Sequence, residues 1–107
     1  LGAKAFEVHL CNHWPEWGVK LLATLEAGDY KQVELDMIKE ALPYYRLWKK
    51  IEQTYTVGDG FVDKLCMELI GLPSSRCRPP TRDIREQYRE EARQMLIQCG
   101  TPRVIAA

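Results

Sequence analysis

The sequence has no apolar run longer than a few residues, so nothing in it is long enough to span a bilayer. It shows no basic n-region followed by an apolar h-region, so no secretory signal is visible. It has no net charge, since 15 basic residues balance 15 acidic ones. No global field therefore draws in nucleic acid or acidic lipid. There is no low-complexity or collagen-like tract, and 46% hydrophobic with 28% charged residues is the composition of an ordinary soluble globule. No C-x-x-C pair occurs among Cys11, Cys66, Cys77 and Cys99, whose spacings of 55, 11 and 22 match no zinc ribbon or finger. They read as four free thiols in a reducing, cytoplasmic compartment. A starting Met is also missing: the chain opens Leu1-Gly2-Ala3, and the expectation is a piece of something longer.

What is present fits one domain's worth of chain, 107 residues, able to bury roughly 60–70% of its unfolded surface. Charge is unevenly placed along it. Residues 1–75 carry eight cations against eleven acids, and residues 76–107 carry seven arginines against four acids. The arginines have no interleaved aromatic platform for stacking bases. They read as a solvated helical face with pairs such as Arg82–Glu86 and Glu86–Arg89.

Residues 5–11 alternate, with Phe6, Val8 and Leu10 on one face and Glu7, His9 and Cys11 on the other, which predicts a strand. Pro15 opens a helix, capped by Asn12 or His13, with Trp17, Leu21, Leu22 and Leu25 as its apolar stripe and Gly28 as its end. Asp29 caps a longer helix to about Tyr55, in which Pro43 predicts a kink near Ala41–Leu42. Its apolar positions are Val33, Met37, Ile38, Leu42, Tyr45, Leu47, Trp48 and Ile51. Thr56 to Gly60 is a connector. Phe61 to Ile70 forms a third helix stopped by Gly71. Pro73, Pro79 and Pro80 stiffen an irregular stretch. The last helix runs from Ile84 to Cys99, with Asp83 and Glu86 as a capping box and Gly100 as its stop.

A single strand cannot satisfy its own ladder of N–H and C=O groups. Either it melts into coil, pairs with another copy, or belongs to a sheet whose other strands lie elsewhere. Strand followed by helix is also the repeat unit of an α/β barrel.

Several runs carry a resemblance: Pro15-Glu16-Trp17-Gly18-Val19-Lys20-Leu21-Leu22 leading to Glu26-Ala27-Gly28-Asp29-Tyr30, Leu42-Pro43, Val62 through Pro73, and Arg78-Pro79-Pro80 before a charged helix. Together, over residues 5–100, they resemble the C-terminal third of the dihydrodipicolinate synthase / N-acetylneuraminate lyase family. Asn12-His13 and the stretch from Pro73 to Pro80 are most similar to its hydratase-aldolase branch, which cleaves benzylidenepyruvates into an aldehyde and pyruvate. The resemblance implies a mainly α chain. Residues 1–28 would be strand 8 and helix 8 of a (β/α)8 barrel, and residues 29–107 the appended C-terminal helical domain.

The family's chemistry runs through a Schiff base between a barrel lysine and a 2-keto acid, with no cofactor. None of Lys4, Lys20, Lys31, Lys39, Lys49, Lys50 or Lys64 stands at the matching place, and Tyr44, Tyr45 and Tyr55 fall in the appended domain. This chain therefore holds no catalytic residue of its own. By the resemblance Glu7, His9 and Cys11 point into the barrel, and Cys11, Asn12, His9 and Trp14 line the substrate pocket. Asn12 has an equal alternative as a helix cap. If two consecutive Asn are the branch pattern, Cys11 departs from it. His9 and His13 straddle a strand–helix junction, so they read as structural or pocket-lining groups and not as metal ligands. Arg76-Cys77-Arg78 reads as a salt-bridge site that docks the domain.

The implied activity is that of a lyase joining or cleaving pyruvate and an aldehyde, in a homotetramer, with no nucleic-acid or membrane partner. The alternative is a free-standing helical interaction module using the faces of residues 29–55 and 84–99.

Overall fold

The computed structural model describes residues 2–55, 60–73 and 75–106. Within them the chain is helical: a 3-10 turn at His9–Asn12, then α1 (Pro15–Glu26), α2 (Tyr30–Asp36), α3 (Leu42–Thr54), α4 (Gly60–Leu69) and α5 (Arg85–Cys99). No strand forms among the described residues. The strand expected over 5–11 is therefore corrected to an irregular lead followed by the 3-10 turn. Val8 keeps an extended backbone at φ −148° and ψ 135°, yet no second strand lies beside it. Without a ladder partner the chain instead satisfies itself locally. Cys11 N–H donates to Val8 O at 3.2 Å and Trp14 N–H to Leu10 O at 2.7 Å. Leu10 is thereby driven into the core at 1% exposure.

Pro15 begins α1 as expected, but its N-cap is Trp14 and no side chain caps it, so neither Asn12 nor His13 takes that role. Asp29 does cap α2, its carboxylate accepting the Gln32 N–H at 3.2 Å. The kink expected before Pro43 takes the form of a π-helical segment, Met37–Ala41, that joins α2 to α3. Pro43 has no N–H to give to the fourth residue before it, and its ring crowds that carbonyl. Widening the turn relieves both, and Leu42 N–H reaches back to Met37 O. The expected stop of the third helix is met by Gly71 at φ 89°. Gly100 ends α5 at φ 85°, with Thr101 N–H closing onto Leu96 O at 3.0 Å. The capping box expected at Asp83 does not form. Ile84 is the N-cap of α5, and Asp83 accepts instead from Arg76 at 3.2 Å. Four residues of the Thr56–Gly60 connector (56–59), and Ser74, lie outside the described residues.

One core takes Leu10 from the turn, Trp17 and Leu21 from α1, Tyr44, Leu47 and Ile51 from α3, Phe61, Leu65 and Leu69 from α4, and Ala92 and Leu96 from α5. Burying each Leu, Ile or Phe contributes about 1.5–3 kcal/mol. Leu22, placed in the stripe of the first helix, is instead exposed, as are Met37 and Ile38 among the apolar positions of the long helix. Polar ties bind the outer layer. Arg85, itself buried, donates to Glu68 at 2.5 Å and to the Ser75 carbonyl at 3.2 Å. Glu86–Arg89 and Glu90–Arg93 pair along α5 at 2.6 Å. All four cysteines are free.

Gly18 lies at the one place in α1 where a side chain has no room. A methyl group added there would land on Cys11 Sγ. Gly18→Ala should gain about 1 kcal/mol of helix propensity and lose about 1–3 kcal/mol to overpacking. The second effect wins because the added carbon would overlap the Cys11 sulfur, which sits on a one-carbon stem with little reach to move aside. Urea melts should show a lower midpoint for Gly18→Ala and a recovered one for Gly18→Ala with Cys11→Ala. A higher midpoint for the single variant would mean the turn does not rest on α1.

Candidate functional site

The 3-10 turn, α3 and α4 meet around one carboxylate. Asp63 stands in the first turn of α4, where an acid is favoured by the helix dipole, and it is 8% exposed. Its Oδ2 lies 2.7 Å from His9 Nδ1. Its Oδ1 accepts a short hydrogen bond from the Tyr44 hydroxyl. Burial, and then the adjacent carboxylate, push the Tyr44 phenol far above its ordinary value, so it stays a donor. His9 in turn stands edge-on to Trp48, ring centroids 4.6 Å apart and planes at 81°. Tyr45 stacks with Trp48 at 16°. Beside them a shallow groove of about 320 Å³ is lined by His9, Tyr45, Trp48, Lys49 and Glu52.

Behind this pair lies His13, buried and tilted against Tyr44 with centroids 5.5 Å apart. Desolvation drops its pKa from 6.5 to about 4, against the opposing pull of Asp63. His13 is thus a neutral ring at physiological pH.

The four pocket residues expected from the sequence are not treated alike. His9 is half-buried and bonded to Asp63. Cys11 is half-buried against Gly18. Asn12 is exposed and caps nothing. Trp14 is in the core at 9% exposure. The structure thus brings His9, Cys11 and Asn12 together on one turn and seats Trp14 behind them. Sequence reading missed Asp63 and Tyr44. An acid among the apolar positions Phe61, Val62 and Leu65 of the third helix was the available signal for the first. The second was hidden because its position follows the π segment. Among the described residues no group of three or more His, Cys, Asp or Glu is placed to hold a metal. Arg76, expected to dock the domain, pairs with Asp83 at 3.2 Å and lies 3.9 Å from Glu86.

No protein-family model, curated protein or solved structure matches the chain. No helix among the described residues is long and apolar enough to cross a membrane.

Proposed function

We propose that this chain is the C-terminal part of a Schiff-base-forming lyase that cleaves or condenses pyruvate with an aldehyde, its catalytic lysine lying outside these residues. The observation that carries the reading is an uncovered apolar strip along the leading segment and α1. Phe6 is 43% exposed, Val19 72% and Leu22 41%. These are the residues that a last barrel strand and its helix would turn toward neighbouring strands and helices. Left open, a contiguous strip of this kind marks a contact surface. The leading strand that the resemblance implies does not form; after it, the helices follow the order the reading needs, with one helix, a long helix bent before a proline, a third helix and a charged last one.

In that setting the chemistry needs an amine from elsewhere in the barrel. In the cleavage direction the amine attacks the keto carbon of the 4-hydroxy-2-keto acid and water leaves. The protonated imine then accepts the electron pair released when the bond to the aldehyde carbon breaks, and a base takes the hydroxyl proton as the aldehyde departs. Protonation and hydrolysis of the remaining enamine release pyruvate and the amine. This chain's own contribution is the turn at the barrel mouth, where Cys11 and Asn12 border the substrate, with no cofactor required. Incubating the intact protein of which this chain is proposed to be the C-terminal part with pyruvate and borohydride, then mapping the adduct, tests the reading. The expected result is a reduced pyruvate adduct on a lysine outside residues 1–107. An adduct on Lys20, Lys31 or any other lysine of this chain, or no adduct, would overturn it.

A helical interaction module is the second reading, favoured by the apolar hollow of about 170 Å³ lined by Met37, Ile38, Leu42 and Tyr45. In a lyase the same surface suits contact between subunits of a homotetramer. Trapping by pyruvate separates the two.

A further inference from the structure

Resting on the lyase reading, we infer that Asp63 is a positioning residue: from α4 it fixes the His9–Asn12 turn, and so holds Cys11 and Asn12 at the substrate pocket. The turn has two side-chain anchors. On one side His9 Nδ1 meets Asp63 Oδ2 at 2.7 Å, fifty-four residues away in sequence. On the other, Cys11 Sγ rests where Gly18 of α1 has no Cβ. Asn12 lies beyond both anchors, exposed and free of any capping role. That is the placement of a group presented outward by a rigid support.

Asp63 suits the task because both of its oxygens are engaged. Tyr44, 1% exposed and anchored in α3, holds Oδ1 through its hydroxyl and so fixes the plane in which Oδ2 meets the imidazole. The Trp48 edge limits rotation of the same imidazole from α3. Two helices of the appended domain thus bear on one turn of the leading segment. Charge-assisted bonds of this kind are shorter and about twice as strong as neutral ones. Replacing the carboxylate with an amide should loosen the turn while leaving the core beneath it in place.

Cys11 reports on the turn, and Cys66 and Cys99, 0% and 2% exposed, report on the core. Iodoacetamide labelling of the intact protein that contains this chain, mapped by mass spectrometry, is run with and without saturating pyruvate. In the unmodified protein Cys11 should label slowly, and pyruvate should slow it further by about threefold. Asp63→Asn should raise Cys11 labelling by about tenfold and abolish the effect of pyruvate, with Cys66 and Cys99 still protected. His9→Ala should reproduce that pattern. Unchanged Cys11 labelling in Asp63→Asn overturns the positioning role. Labelling of Cys66 and Cys99 together with Cys11 also overturns it, because the loss is then of the whole core. Pyruvate without effect on Cys11, in a protein that borohydride does trap, overturns the turn's place at the pocket. Absence of any trapped pyruvate overturns the lyase reading instead. The contrast between Asp63→Asn and the unmodified protein is read without pyruvate, so it decides the positioning role either way.

Discussion

Lowering the pH from 6.5 to 4 should remove about 3 kcal/mol of stability, the consequence of a single buried imidazole. His13 is 1% exposed, and among the described residues no protein group meets its Nδ1. Burial lowers its pKa from 6.5 to about 4, with Asp63 acting weakly in the other direction. The sign follows from which state takes the proton. Between those two values the unfolded chain binds a proton that the folded chain refuses, so acid favours unfolding. Above the ordinary histidine value the stability is fully present. Below the depressed value both states are protonated and the loss stops growing. Arg103, Arg89 and Arg93 hold the Glu16, Glu86 and Glu90 carboxylates below their ordinary range through hydrogen bonds. Protonating them begins to cost stability as the pH falls through 4.5, the value of a free glutamate, so they add to the loss at the acid end of the window and leave the part above about pH 5 to His13. Urea melts at three pH values across the window should show the loss, and His13→Gln should flatten it. An unchanged slope in His13→Gln would assign the acid sensitivity elsewhere.

Trp17→Ala should be the most damaging single substitution, at about 3–5 kcal/mol. For a domain with a total stability of about 5–15 kcal/mol, that is enough to leave much of the population unfolded. Trp17 is 1% exposed on the inner face of α1 and heads the largest fully buried side chains. Its truncation leaves a void bounded by helices that cannot all close on it. Trp17→Phe should cost far less, under about 2 kcal/mol. Among the described residues the indole Nε1–H finds no protein acceptor, so the smaller ring removes an unanswered donor together with some packing. Denaturation midpoints of the two variants test the comparison. Equal losses would mean that the shape of the indole itself is required.

Local punctuation was legible where it acts through the backbone alone. Pro15, Asp29, Gly71 and Gly100 each mark a boundary within a residue or two of where it lies. Pro43 announces the bend because a missing N–H has the same effect in any helix. The alternation of Phe6, Val8 and Leu10 misleads because it specifies a face and not a partner. Among the described residues no second strand exists, and the segment coils. The π segment also explains why Ala41 and Tyr44, at 0% and 1% exposure, escaped a count run on the ordinary helical period. The wider turn changes which side chains face inward where it runs and just beyond it, while Leu47 and Ile51 further along are buried as their spacing predicts. The Asp63–His9 contact was invisible for a different reason. It joins residues fifty-four apart, and no local pattern encodes a pairing at that distance.

Arg103 donates to Glu16 at 2.7 and 3.0 Å, a contact spanning eighty-seven positions. A ribosome making this polypeptide releases α1 long before the arginine that braces it. Nearby, Ile105 N–H donates to Leu69 O at 2.9 Å, so the closing segment also fastens onto α4. In the interval Trp17 and Leu21, which the finished fold buries, stand open to whatever the nascent chain meets. Completion of the fold therefore waits on one of the last peptide bonds in this stretch to be made.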